Sequence, residues 1–166
     1  MIKYLQSKKY GFNDIFNIKL YKLKKYEFIM EMKHEIMVNA SVEEAYNAVT
    51  TQEGFAGWWT TDAEVNNDEF TFGFYNKYWM KFRKISSERN RKVEYKCIDA
   101  DKVSKDWIGT KLIFNLESDG ELTKIKLNHA NWKEGIEIFA MCNSTWGHLM
   151  FSLKDYLEKG EGKPMS

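Results

Sequence analysis

The apolar positions of this chain change their period several times after residue 33, and each change predicts an element. Lys33 to Asn39 alternates, with Ile36 and Val38 on one face, as a first strand does. Ser41-Val42-Glu43-Glu44 then places a hydroxyl and a carboxylate where each can satisfy a free amide at a helix start. Val42, Ala45 and Val49 give that helix a buried stripe. A second short helix or turn is expected from Glu53 to Trp59, after which the pattern turns from helical to alternating.

Strands are predicted at about Ala63 to Val65, Glu69 to Tyr75, Tyr78 to Ser86, Lys92 to Ile98, Thr110 to Glu117 and Leu122 to Asn128. Asn66-Asn67, Asn76-Lys77 and Asp119-Gly120 read as two-residue connections, because Asn and Gly tolerate the positive φ of a tight hairpin. The neighbours are therefore antiparallel. Alternation puts Phe70, Phe72 and Phe74 on one face, with Val93, Tyr95 and Cys97, then Leu112, Phe114 and Leu116, then Ile125, Leu127 and His129. One face of the sheet is apolar throughout and needs a cover.

The cover is a helix from about Glu137 to Lys159, closed by Gly160 and stopped by Pro164. Its stripe is Ile138, Cys142, Trp146, Leu149, Met150, Leu153, Tyr156 and Leu157, with Lys154, Asp155, Glu158 and Lys159 toward water. At 1.5 Å per residue it is about 35 Å long, enough to cross a sheet. The predicted class is α+β: a curved antiparallel sheet wrapped around a long C-terminal helix, with two short helices after the first strand.

Composition changes this picture in three places. The chain of 166 residues is 16% aromatic, with six Trp and eleven Phe, which implies a large aromatic core or a lined cavity. Residues 1 to 29 carry seven Lys against Asp14 and Glu27, a net of about +5, while the remainder is net acidic. In that region Phe12, Ile15, Phe16, Leu20 and Leu23 fall at helical spacing, so it reads either as a basic arm for a membrane surface or partner, or as an accessory extension ahead of a start at Met30 or Met32. The domain proper is assigned to residues 30–166. No window approaches the roughly 18 apolar residues of a membrane span and no secretory signal is legible, so a cytoplasmic protein with reduced Cys97 and Cys142 is expected.

Five segments, in order, resemble one family: Asn39 to Tyr46, Thr51 to Trp59, Trp107-Ile108-Gly109-Thr110, Leu127-Asn128-His129, and Leu153 to Gly162. They are similar to the signatures of the SRPBCC superfamily, the START and Bet v-like proteins. Within it they resemble the branch of the activator of heat-shock-chaperone ATPase homologues. The resemblance runs from about Lys33 to Pro164 and implies a helix-grip fold with a hydrophobic cavity between sheet and closing helix.

No GxGxxG, GxxxxGK, HExxH or GxSxG occurs, so no cofactor is expected, and His34, His129 and His148 are too dispersed to suggest a metal. His129 is the single catalytic candidate, as a proton donor or base near a cavity mouth, against a structural histidine bonded to backbone. Phe72, Phe74, Tyr95, Phe114, His129, Trp146 and Met150 are the expected ligand-binding wall, and Trp58 or Trp59 its entrance. No basic stripe interleaved with aromatics points to nucleic acid. The first reading is a binding protein for a hydrophobic or aromatic small molecule or lipid, monomeric or homodimeric. The alternatives are a cyclase- or dehydratase-like enzyme using His129, and a partner that modulates a chaperone ATPase.

Overall fold

The computed structural model describes residues 29–166. The basic amphipathic stretch expected before Ile29 lies outside the described residues. Seven antiparallel strands form one sheet: β1 (Ile29–Val38), β2 (Asp62–Asn66), β3 (Glu69–Phe74), β4 (Tyr78–Glu88), β5 (Lys92–Ala100), β6 (Lys111–Asp119) and β7 (Leu122–Lys133). Their order across the sheet is β1-β7-β6-β5-β4-β3-β2. Six strands thus form a meander, and β1 closes against the last of them. Two short helices, α1 (Val42–Ala48) and α2 (Gln52–Trp58), bridge β1 to β2, and the long α3 (Ile138–Lys159) lies over the sheet. The curved sheet, two short helices and closing helix are the architecture expected from the sequence.

Local chemistry fixes the helix ends. Ser41 caps α1 with the reciprocal box: the Glu44 amide donates to Ser41 Oγ at 3.1 Å and the Ser41 amide to Glu44 Oε2 at 2.7 Å. Thr51 caps α2 through the Gly54 amide. Gly160 ends α3 with φ +78°, the left-handed conformation that lets its amide reach Tyr156 O.

Boundaries differ where pairing decides them. β1 begins four residues before Lys33 and β7 continues five residues past Asn128, because the two ends pair with each other, Ile29 opposite Lys133 and Met30 opposite Trp132. The shared end contains a bulge. Met30 faces Trp132 and Met32 faces His129, so Glu31 stands opposite both Ala130 and Asn131. Asn131 absorbs the extra residue at φ +66°, which keeps Trp132 on the inner face beside His129. The hairpin turns also shift: they are Asn67-Asp68, Tyr75-Asn76-Lys77 and Gly120-Glu121. Lys154, expected in water, is half-buried and its Nζ donates to Met37 O at 2.6 Å, while Glu158 accepts the Asn39 amide. Both contacts tie α3 to the β1 edge.

The positions of β3, β5, β6 and β7 that alternation pointed inward are all buried, as is Val38 of β1, while Ile36 is half-buried against the same core. The core is strongly aromatic and lies at the α2 end of the sheet. Phe55 of α2 packs edge-on to Phe70, Phe72 and Tyr95, with centroids at 5.8, 4.9 and 5.9 Å. Trp58 packs edge-on to Phe114 and donates its indole N–H to Ala48 O at 2.9 Å. Tyr95 donates its hydroxyl to Val49 O at 2.7 Å, joining sheet to helices.

Candidate functional site

Beyond Trp59 the rings no longer fill the space between the sheet and the first half of α3, and a cavity of about 440 Å³ opens there, backed by a second ring cluster of Trp107, His129, Trp132 and Trp146. Trp59 is the partition. Its ring lies 4.2 Å from that of Phe72 on the packed side and 5.0 Å from that of Trp146 beneath the helix. The sheet contributes Phe74, Tyr78 and Met80, and α3 contributes Ile138, Met141, Cys142, Trp146 and Leu149. The connection after β5 supplies Val103, Ser104 and Trp107, and the C-terminal tail supplies Met165. Tyr75 and Thr145 complete the rim.

The two irregular walls are held by specific bonds. Asp101 accepts from the amides of Trp79, Val103 and Ser104 and from the Ser104 hydroxyl, at 2.7 to 3.1 Å. Partial burial acts to raise its pKa, but these donors outweigh it and hold the carboxyl below the ordinary range. The anchored loop sets the single 3-10 turn at Lys105–Trp107, which delivers Trp107 to the cavity. On the opposite side Met165 bridges to Thr60: its amide donates to Trp59 O at 2.8 Å and its carbonyl accepts the Thr61 amide at 3.0 Å. Ser152 Oγ donates to Trp58 O and accepts the Lys163 amide, so the tail is stitched across α3.

Among the described residues no charged side chain borders the cavity. The hydroxyls of Ser104 and Thr145 are spent on Asp101 and on Met141 O. Burial pushes the Cys142 thiol up to about 12, partly offset by its contact with Trp107, so it stays protonated and is a poor nucleophile. A second depression, about 560 Å³, lies on the other side of Tyr75, Thr145, Leu149 and Met165. It is larger but more polar than the cavity, with His148, Asp155 and Lys163 in its wall, and so is less suited to an apolar guest.

Of the wall residues expected from the sequence, Phe74 and Trp146 border the cavity, and so does Trp59 of the tryptophan pair. Phe72, Tyr95, Phe114, His129 and Met150 sit behind the wall, each at most 1% exposed. His129 does not reach the cavity. Its Nδ1 accepts the Trp146 indole N–H at 2.9 Å, so Nε2 carries the proton and donates to Thr110 Oγ1 at 3.0 Å; that hydroxyl in turn donates to Trp107 O at 2.7 Å. Desolvation lowers its pKa to about 3. Among the described residues no cluster of His, Cys, Asp or Glu can hold a metal ion. Periodicity gave no sign of Tyr75, Val103, Trp107 or Met165, which lie in turns and in the tail, where side-chain direction follows no repeat. The sequence signals available were the aromatic density of Phe74-Tyr75-Asn76-Lys77-Tyr78 and the lone Trp107 ahead of Gly109.

The fold matches known proteins. An Aha1 dimer from Colwellia psychrerythraea, solved in solution, is 32% identical, with 80% of this chain and 99% of that one covered and a TM-score of 0.70. Protein BH1534 of Bacillus halodurans is 22% identical over 75% of this chain and 90% of its own, at TM-score 0.56. DynU16, from the dynemicin biosynthetic locus, is 16% identical over 80% of this chain and 48% of its own, at TM-score 0.61. These last two are likenesses of fold alone. No curated protein matches the sequence. The model of the family described as activator of Hsp90 ATPase homolog 1-like protein matches residues 39–158. The chain belongs to that family.

Proposed function

We propose that the protein is a binding module that holds a neutral, apolar small molecule, ring-bearing or lipid-like, in the cavity bounded by Trp59, Trp107 and Trp146. The observation that carries this reading is a hollow of about 440 Å³ lined by aromatic and aliphatic side chains with no ionisable carboxylate, amine or guanidine among them. That volume lies in the range of small-molecule sites, roughly 300–1,000 Å³, and flat aromatic walls bring large contact area with few torsions to freeze. The enzyme alternative has less support, because His129 is neutral, bonded at both nitrogens and walled off from the cavity. A chaperone-modulating role rests on the family's name alone.

The test is titration with N-phenyl-1-naphthylamine, a neutral dye that fluoresces in apolar surroundings, alongside native mass spectrometry of freshly purified protein. Saturable fluorescence is expected, about fivefold or more weaker in Met141→Glu, which sets a carboxylate on the rim at a position 61% exposed, where the fold tolerates it. No saturable signal and no apolar adduct would sink the reading.

A further inference from the structure

Among the described residues five non-glycine positions have positive φ, and four of them are asparagine: Asn67, Asn76, Asn90 and Asn131. The fifth is Tyr75, at φ +57°. Asparagine enters the left-handed region readily because its short polar side chain bonds locally; a tyrosine there meets the ordinary steric cost of a Cβ beside the carbonyl. Tyr75 and Asn76 are both left-handed, and the Lys77 amide closes on Phe74 O at 3.0 Å. Two successive positive φ values closed by that bond are a turn of the primed kind, which favours Asn or Gly at its first central position, and Lys77 is the extra residue before Tyr78 pairs with Phe74.

The ring does not repay that cost by burial, for Tyr75 is 58% exposed and among the described residues packs against no other ring. Its neighbour Phe74, by contrast, is buried against Trp59. What Tyr75 does have is position: it lines both the apolar cavity and the polar depression beside it, at their common rim with Thr145, Leu149 and Met165. Backbone strain of this kind persists at sites that use the side chain it carries.

We infer that Tyr75 is a ligand-contacting residue, kept in a strained turn so that its ring closes the rim of the apolar cavity over a neutral ring-bearing guest and separates that guest from the polar depression. The inference rests on the proposed function of the same cavity. Its chemistry favours an aromatic guest, since an exposed phenol ring at the rim can stack on a flat ligand with two torsions to fix. A bound guest would in turn cover much of the ring now in solvent.

The experiment compares wild type, Tyr75→Asn and Tyr75→Phe. Asparagine suits the turn, so Tyr75→Asn is expected to raise the melting temperature by roughly 2–4 °C while weakening N-phenyl-1-naphthylamine binding about fivefold or more. Tyr75→Phe keeps the ring and is expected to bind within about twofold of wild type. Stabilisation together with lost binding is a result that a merely structural tyrosine does not produce. Unchanged binding in Tyr75→Asn, or a lowered melting temperature, overturns the inference and leaves the proposed function standing. Absence of dye binding in wild type overturns the proposed function, and the inference with it.

Discussion

At pH 7 the imidazole of His129 is neutral, because its Nδ1 must accept from an indole that can only donate, and its burial leaves no counter-charge for a cation. A proton added on acidification has to break the bond to Trp146. The sign of the consequence follows from comparing states. The unfolded chain binds this proton below about pH 6.5, the folded one only near 3, so between those values the unfolded state holds more protons and stability falls as pH falls. The slope is at most about 1.4 kcal/mol per pH unit. Urea unfolding at pH 7 and pH 5 should show that loss, and His129→Leu should show less of it while being less stable at pH 7 by about 1–3 kcal/mol, the cost of an orphaned buried donor. An NMR titration in which the His129 ring shifts with a midpoint near 6.5 would contradict this account. Alternation alone showed that His129 points inward; that it is spent on Trp146 and Thr110 was not legible, because that depends on where α3 and the β5–β6 connection settle.

At the scale of elements, α2 depends on two glycines with opposite tolerances. A Cβ on Gly54 would stand 2.5 Å from Asn47 O and 2.7 Å from Ala48 Cα, both backbone atoms at the end of α1. On Gly57 it would meet the Tyr156 ring at 2.2 Å, a half-buried side chain able to swing away. Helix propensity favours Ala over Gly by about 1 kcal/mol at either site. Gly54→Ala should nonetheless destabilise by about 2 kcal/mol or more, as overpacking against rigid backbone does, whereas Gly57→Ala should fall within about 1 kcal/mol of wild type. Thermal or urea unfolding of the two variants checks the contrast, and equal effects would refute it. The order of the elements and the inward faces of β3, β5, β6 and β7 were readable, since burial on one side imposes period two on a strand. The ends were not: β7 runs on past Asn128 only because β1 is there to pair with it, and the bulge at Asn131 breaks the alternation that would have announced Trp132.

Across the described residues the aromatic excess divides at Trp59 into a core packed under α1 and α2 and a second ring cluster, Trp107, His129, Trp132 and Trp146, that backs the cavity under the start of α3. Composition announced both outcomes without saying which residues serve which, and so Phe72, Tyr95 and Phe114 fell on the packed side and Met150 behind the cavity wall. The short tail matters more than its length suggests. Removing Met165 and Ser166 deletes two backbone bonds to the Trp59–Thr61 strip and one wall of the cavity. The truncated protein should lose about 2 kcal/mol in urea unfolding and release N-phenyl-1-naphthylamine several times faster in stopped flow; an unchanged off-rate would show that the tail is no part of the wall. The pairing of β1 with β7 has one further consequence, for synthesis. Each hairpin from β2 to β7 joins neighbours in sequence and can form as it leaves the ribosome, but β1, made first of the seven, finds its partner only after residue 133 has emerged. Closure of that longest loop is the slow, entropically costly step. Until it happens the ten residues of β1 are an open edge, so a nascent chain stalled before β7 is the species most prone to aggregate.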